Sequence, residues 1–178
     1  MNQLLDILSS FLIGGILLLA LVGLNMQFTS KYQEIKLAEI TQSTSTNIGQ
    51  VIENDFNKIG YGNNVDTSIV SISKNAITFK ADIDNNGQIE VVNYSVIRNN
   101  NGTFLKRTLN RNESRSWTQP INTFEIYGIS NSLDTTYVIN NISSILLNVI
   151  YAKTDYYQDT TSIGIQWRRV FYPKNLIK

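Results

Sequence analysis

The chain has 178 residues, and 15 Lys and Arg against 14 Asp and Glu give it a formal net charge of +1. A balance this even supplies no long-range field for nucleic acid. The sequence has no Cys, which excludes disulfides and thiolate sites, and no His, which removes the commonest general base and metal ligand. We therefore predict a protein that is not an enzyme and takes no small-molecule substrate. The length fits one helix and one modest globular domain.

The stretch from Leu4 to Phe28 is strongly apolar, and no charged residue occurs between Asp6 and Lys31. As a helix, the uncharged span from Ile7 to Ser30 would be roughly 36 Å long, enough to cross a bilayer core of roughly 30 Å. A cleaved signal peptide is the alternative, but it would have a basic segment before the apolar run and a small-residue cleavage site. Neither feature is clear here, so the sequence predicts a retained membrane helix.

Three positions in this helix are candidates for a functional role. Asp6 is ionisable, and a carboxylate at the membrane boundary is costly enough that it usually has a partner or a function. The alternative is that Asp6 lies in the headgroup layer, where the helix dipole favours it. Gly14 and Gly15 would allow close helix approach or local unwinding. Glycine is also common in membrane helices without such a role.

The helical pattern continues beyond the membrane stretch. Residues Lys31 to Ile59 contain no Pro and only one Gly, although the polar segment from Thr41 to Thr46 is predicted to be exposed or bent. Apolar residues then recur three and four positions apart, which predicts a helix face packed on a core. These residues are Ile48, Val51, Ile52, Phe56 and Ile59. Gly60-Tyr61-Gly62 is predicted to end the helix.

From Thr67 onward the apolar period changes to that of strands. The pattern predicts two short strands around Lys74-Asn75 that include Ile83, then strands at 89–97 and 103–109, shorter ones at Phe124–Ile126 and 137–139, and two strong ones at 142–151 and 163–171. Short turns predict mostly antiparallel pairing, and the apolar helix face would cover the sheet. We predict an α+β fold: a hydrophobic transmembrane helix at 1–30, its amphipathic continuation at 31–60, and an extracytoplasmic β-rich domain at 61–178.

The segment Asp82-x-Asp84-x-Asn86-Gly87 matches the first half of a Ca²⁺-binding loop. The twelfth position would be Asn93 instead of the usual Glu, although Glu90 could substitute. A polar hairpin with Asn-Gly at its tip is the simpler account. Ca²⁺ on Asp82, Asp84 and Asn86 is the one cofactor that the sequence leaves open.

Two aromatic segments have competing interpretations. Trp167-Arg168-Arg169 could contact nucleic acid through stacking and phosphate pairing. On a strand, however, Arg168 points away from its two neighbours, which favours a sheet edge with a core aromatic. The tyrosines at 151, 156 and 157 could form an adhesive patch or serve turn and core roles.

The run LLDILSSFLIGGILLLAL resembles the N-terminal segment of type IV pilins and type II secretion pseudopilins, in which one carboxylate interrupts an apolar run. Asp6 falls where that family has Glu, and Gly14 falls where W-type minor pilins often have Gly. VIENDFNKIGYG and FKADIDNNGQIEVVNYSVIRNNNGTFLKR are similar to the helix end and paired strands of W-type minor pilins and J-type minor pseudopilins. The last two strands are similar as well.

Two departures from that family stand out. Its members carry a short basic leader ending in Gly, whereas only Met1 to Gln3 precede Leu4 here. Three explanations stay open: processing before Met1, a misplaced translation start, and insertion without processing. The acid is also Asp instead of Glu, and it falls one position late if Met1 is the mature first residue.

The resemblance implies a structural subunit of a pilus-like filament or of a secretion pseudopilus, with adhesion and protein secretion as associated roles. Its partners would be copies of itself or other pilin-like subunits. It would cross the inner membrane once before joining a surface filament or a periplasmic pseudopilus. In the family, helices leave the bilayer and pack as a filament core, where Asp6 could pair with a neighbour's N-terminal amine. The alternative is a monomeric, membrane-anchored binding domain that never polymerises.

Overall fold

The computed structural model describes residues 2–62, 67–100, 102–110, 112–154 and 162–176. It consists of one helix followed by nine strands. The elements are α1 (Asn2–Asn57), β1 (Ile69–Ser73), β2 (Ala76–Ala81), β3 (Glu90–Asn99), β4 (Gly102–Leu109), β5 (Asn112–Pro120), β6 (Thr123–Ile129), β7 (Thr135–Thr136), a 3₁₀ turn (Ile139–Asn141), β8 (Ser144–Thr154) and β9 (Ser162–Phe171).

The strands form two antiparallel sheets. Sheet A has the order β1-β2-β3-β4-β5, and sheet B has the order β7-β6-β8-β9. In sheet A every neighbouring pair is consecutive in the chain, as expected for strands joined by short turns. In sheet B, β6 pairs with both β7 and β8, and β8 pairs with β9 from Ile145↔Phe171 to Thr154↔Ser162.

The last turns of α1 and the turn that follows it lie against the inner faces of both sheets and complete one shared core. Ile52, Phe56 and Ile59 are fully buried. The ring of Phe56 lies 5.7 Å from the Phe79 ring in sheet A and 5.1 Å from the Phe171 ring in sheet B. Each fully buried side chain of this size contributes about 1.5–3 kcal/mol, so this end of the helix is firmly held.

A tight turn stops the helix and starts the sheet. Gly60 has φ of +77°, and a Cβ at this position would lie 1.9 Å from the Asn175 carbonyl oxygen. The Gly60 N–H donates to the Lys80 carbonyl, which ties the turn to β2. A glycine is therefore required here both by the backbone conformation and by the space available.

The α+β layout is confirmed: a long apolar N-terminal helix packs on antiparallel sheets. The helix is continuous through 41–46, where three side chains are exposed but Thr41 is buried. Four strand predictions were wrong or incomplete. The strands divide into two sheets, Ile83 lies in a loop, residues 137–139 lead into the 3₁₀ turn, and β5 had no predicted counterpart.

Candidate functional site: the exposed half of the helix and its attachment

The first half of α1 projects from the β-domain without packing on it. Between Leu4 and Phe28 every large apolar side chain is exposed, from 44% at Val22 to 85% at Phe11. This is the only helix in the described part of the chain that is long and apolar enough to cross a membrane. A helix that is apolar on all sides requires an apolar environment, either lipid or other helices. The protein therefore has a single long apolar helix compatible with membrane anchoring.

Asp6 lies on the exposed surface of this helix near its N-terminus. The hydroxyls of Ser9 and Ser10 donate to its backbone carbonyl at 3.0 and 2.8 Å, and neither bonds to the carboxylate. Among the described residues the Asp6 carboxylate has no partner. The geometry therefore leaves this charge available for a group outside the chain.

Gly14 and Gly15 are adjacent on the exposed helix, about two turns after Asp6. A Cβ added at either position would meet nothing within 4 Å. Packing within the chain therefore gives no reason for glycine at these two positions. Their role in helix approach or unwinding stays a prediction.

A buried ionic cluster attaches the other end of α1 to sheet A. Asp55 is 1% exposed, and its carboxylate accepts hydrogen bonds from Arg107 Nε at 2.5 Å, from Arg107 Nη2 at 3.1 Å and from the Tyr94 hydroxyl at 2.6 Å. The bidentate arrangement fixes both distance and orientation. Burial, followed by the charge of Asp55, raises the pKa of Tyr94 well above its ordinary value.

A second attachment joins α1 to sheet B. Arg169 Nη1 lies 2.5 Å from Glu53 Oε2, and the Trp167 ring lies 3.8 Å from the position of a Cβ on Gly49. Arg168 points to the opposite face and is exposed, as the strand pattern predicted. The helix end is thus held by charged contacts to both sheets.

Sequence reasoning missed the Asp55–Arg107–Tyr94 cluster as a unit. The family-like segments contain all three residues, but the contacts join positions 39 and 52 residues apart. No local pattern specifies pairing over such separations. The available signal was a lone acid beside the apolar helix face, together with Arg107 at an inward position of a strand.

The acidic loop after β2 brings three carboxylates together. Oxygen atoms of Asp82, Asp84 and Glu90 lie within 4.8 Å of one another, which supports Glu90 as a member of any cation site there. These oxygens already accept backbone N–H groups: Asp82 from Asn86 and Gly87, Asp84 from Asn86, and Glu90 from Ile83.

The Asn86 side chain forms hydrogen bonds within this loop. Its Oδ1 accepts the Gln88 N–H at 2.7 Å, and its Nδ2 donates to Asp84 at 2.9 Å. Lys58 Nζ donates to the Ile83 carbonyl and to Asn85 Oδ1. The loop is thus a polar hairpin held together by its own hydrogen bonds, and Ca²⁺ on it stays a prediction.

The predicted tyrosine patch is divided. Tyr151 is 6% exposed and belongs to the core. Tyr156 and Tyr157 lie outside the described residues.

Comparison with protein-family models, with curated proteins and with solved structures finds no match to this chain.

Proposed function

We propose that this chain is a structural subunit of a type IV pilus-like filament or a type II secretion pseudopilus, and that it assembles through its N-terminal helix. One observation carries the proposal: a single continuous helix is uncovered on all sides in its first half and buried in the β-domain at its other end. Such a helix can move from lipid into a bundle of similar helices while carrying the domain with it.

Asp6 supplies the selectivity that apolar side chains lack. Lipid chains are as apolar as leucine, so apolar contact alone drives little association between membrane helices. A carboxylate removed from water and left unpaired costs several kcal/mol, and a counter-charge on a neighbouring subunit recovers much of this. The Asp6 carboxylate, which has no partner among the described residues, would therefore set the position of one helix against the next, with the N-terminal amine of a neighbouring subunit as its partner.

The proposal places the chain in the inner membrane before assembly, with the β-domain outside the cytoplasm. Its partners are copies of itself or other pilin-like subunits, and it performs no catalysis. Adhesion and protein export are the roles to be assigned once the filament is identified.

The test compares Asp6→Ala with Asp6→Glu in cells that assemble the filament. We expect both variants to fractionate with the membrane in normal amounts, because one residue does not change the apolar span. Asp6→Ala should be lost from purified filaments, as measured by mass spectrometry of their subunits, whereas Asp6→Glu should be retained. Normal incorporation of Asp6→Ala would refute the role of the carboxylate.

The alternative is a monomeric, membrane-anchored binding domain, and the uniform apolar surface of the helix suits lipid equally well. Cross-linking of the wild-type chain in intact membranes separates the two. Adducts between helices support the filament subunit. A chain that stays monomeric and is missing from every filament preparation supports the anchor.

A further inference from the structure

The face of sheet B that points away from α1 is built differently from its inner face. Along β6, β8 and β9, the side chains that contact the helix and the core alternate with side chains that point outward. The strand register aligns the outward residues in three rows across the sheet. These rows are Thr123–Ile150–Gln166, Glu125–Asn148–Arg168 and Tyr127–Leu146–Val170.

This outer face contains an open depression of about 330 Å³. Its lining mixes charged, amide, hydroxyl and apolar groups. The residues are Glu125, Tyr127, Thr135, Leu146, Asn148, Gln166 and Arg168.

A ladder of hydrogen bonds crosses the centre of the depression. Gln166 Nε2 donates to Asn148 Oδ1 at 2.8 Å, and Asn148 Nδ2 donates to Glu125 Oε2 at 3.4 Å. Lys74 Nζ lies 3.0 Å from Glu125 Oε1, and this contact lowers the pKa of Glu125. Glu125 is therefore a hydrogen-bond acceptor whose negative charge is balanced by Lys74. The amides beside it offer both donors and acceptors.

Arg168 gives the depression its charge. It is exposed, it stands beside Asn148 in the register, and no carboxylate among the described residues pairs with it. Lys74 lies beside the lining and balances the charge of Glu125, so the lining and Lys74 together carry the net charge of one guanidinium. A guanidinium binds a carboxylate through two parallel hydrogen bonds, so this face suits a ligand with a carboxylate.

The neighbouring row supplies an apolar surface. Tyr127, Leu146 and Val170 lie side by side, each partly exposed. The face thus combines a flat apolar strip with a row of amides and a single cation. A sugar ring has the matching parts: a C–H face for the strip, and hydroxyl groups that both donate and accept for the amides.

We propose that the outer face of sheet B binds an acidic polysaccharide, with the carboxylate of a uronic-acid ring on Arg168 and the ring hydroxyls on the ladder of Gln166, Asn148 and Glu125. A single cation among mixed donors and acceptors favours one carboxylate per ring over an acidic peptide, which would require more cations. The proposal does not depend on assembly, although α1 lies behind this sheet and a helical filament core would leave the face outward.

The probe is trigalacturonic acid, and its methyl ester is the uncharged control. Each is titrated into the full chain in detergent micelles, and binding is measured by calorimetry. The variants are Arg168→Gln and Gln166→Ala. Arg98→Gln is the matched control, because Arg98 is an exposed arginine on sheet A. We expect the wild-type chain and Arg98→Gln to bind the acid with equal affinity, and Arg168→Gln to weaken binding about tenfold. Gln166→Ala should also weaken it, and the methyl ester should bind as poorly to the wild type as the acid does to Arg168→Gln.

Several outcomes would overturn the proposal: no binding of the acid, equal binding of its methyl ester, or an equal loss in Arg98→Gln. Tighter binding of hexaglutamate than of trigalacturonic acid would assign the face to an acidic peptide instead. Equal melting temperatures of the variants separate a binding defect from misfolding. A negative result in this binding test leaves the filament proposal unaffected, because the binding test does not involve Asp6.

Discussion

Asp55 is a fully buried carboxylate at the point where the helix meets the sheet. Two of its partners come from different strands, Tyr94 from β3 and Arg107 from β4. Burying this pair carries a desolvation cost, so the cluster adds less to stability than its short distances imply. It does penalise any rotation of the helix that would separate the charges. We infer that the cluster fixes the orientation of α1 on the domain.

Replacing Arg107 should therefore be far more damaging than replacing a surface arginine. Arg107→Met leaves Asp55 buried without a counter-charge, which is expected to cost about 3–5 kcal/mol. Arg98→Met removes an exposed charge and should change the free energy of unfolding by less than about 0.5 kcal/mol. Guanidinium unfolding followed by tryptophan fluorescence measures both. Equal losses in the two variants would contradict a buried ionic attachment.

Tyr94 makes the stability of the domain sensitive to alkali. Because burial raises its pKa in the folded state, its contribution is complete below about pH 10, where the unfolded chain begins to ionise, and is lost as the pH rises toward the folded value. Tyr94→Phe cannot ionise. We expect it to be less stable than wild type at pH 8 but to lose less stability between pH 9.5 and 11. Parallel curves for the two proteins would show that Tyr94 does not titrate on unfolding.

At the scale of elements, the packing of α1 against β9 leaves room at Gly49. A Cβ there would lie 3.8 Å from the Trp167 ring, which is ordinary van der Waals contact. Gly49→Ala should therefore raise the free energy of unfolding by about 0.5–1 kcal/mol, because alanine favours the helix. Thermal unfolding gives the measurement. Gly60→Ala is the opposing control and should destabilise, since its Cβ has no room. A destabilised Gly49→Ala would mean that the helix lies closer to β9.

Strand β5 was not predicted because its sequence lacks the apolar alternation that indicates a strand. Its sequence, NESRSWTQP, has one large apolar residue, Trp117, and no alternation. It lies at the edge of sheet A and pairs only with β4, so one apolar inward side chain and the backbone bonds of its neighbour suffice. Pro120 at its end is compatible with an edge position. This strand forms because it pairs with β4, and such pairing cannot be predicted from the local sequence of β5.

At the scale of the whole molecule, the free energy of unfolding of the β-domain should not depend on the exposed half of the helix. Every residue from Gln3 to Gln33 is exposed except Gly23, which is partly covered. This segment therefore contributes nothing to the core. Removing residues 1–30 should leave the free energy of unfolding within about 0.5 kcal/mol of the full chain in detergent. Guanidinium unfolding of the truncated chain in the same detergent makes the comparison. A large loss would show that the apolar helix contacts the domain.

The sequence by itself determined the long helix, its apolar and amphipathic halves and the antiparallel strands that follow. These features arise from periodicity and from the absence of charge over a span, which act between near neighbours. Only the tertiary structure decided that the strands divide into two sheets, that Asp55 pairs with Arg107 and Tyr94, and that Glu125, Asn148 and Arg168 align across one outer face. Those contacts join distant residues, and their free energy depends on burial and register, which exist only once the chain has folded.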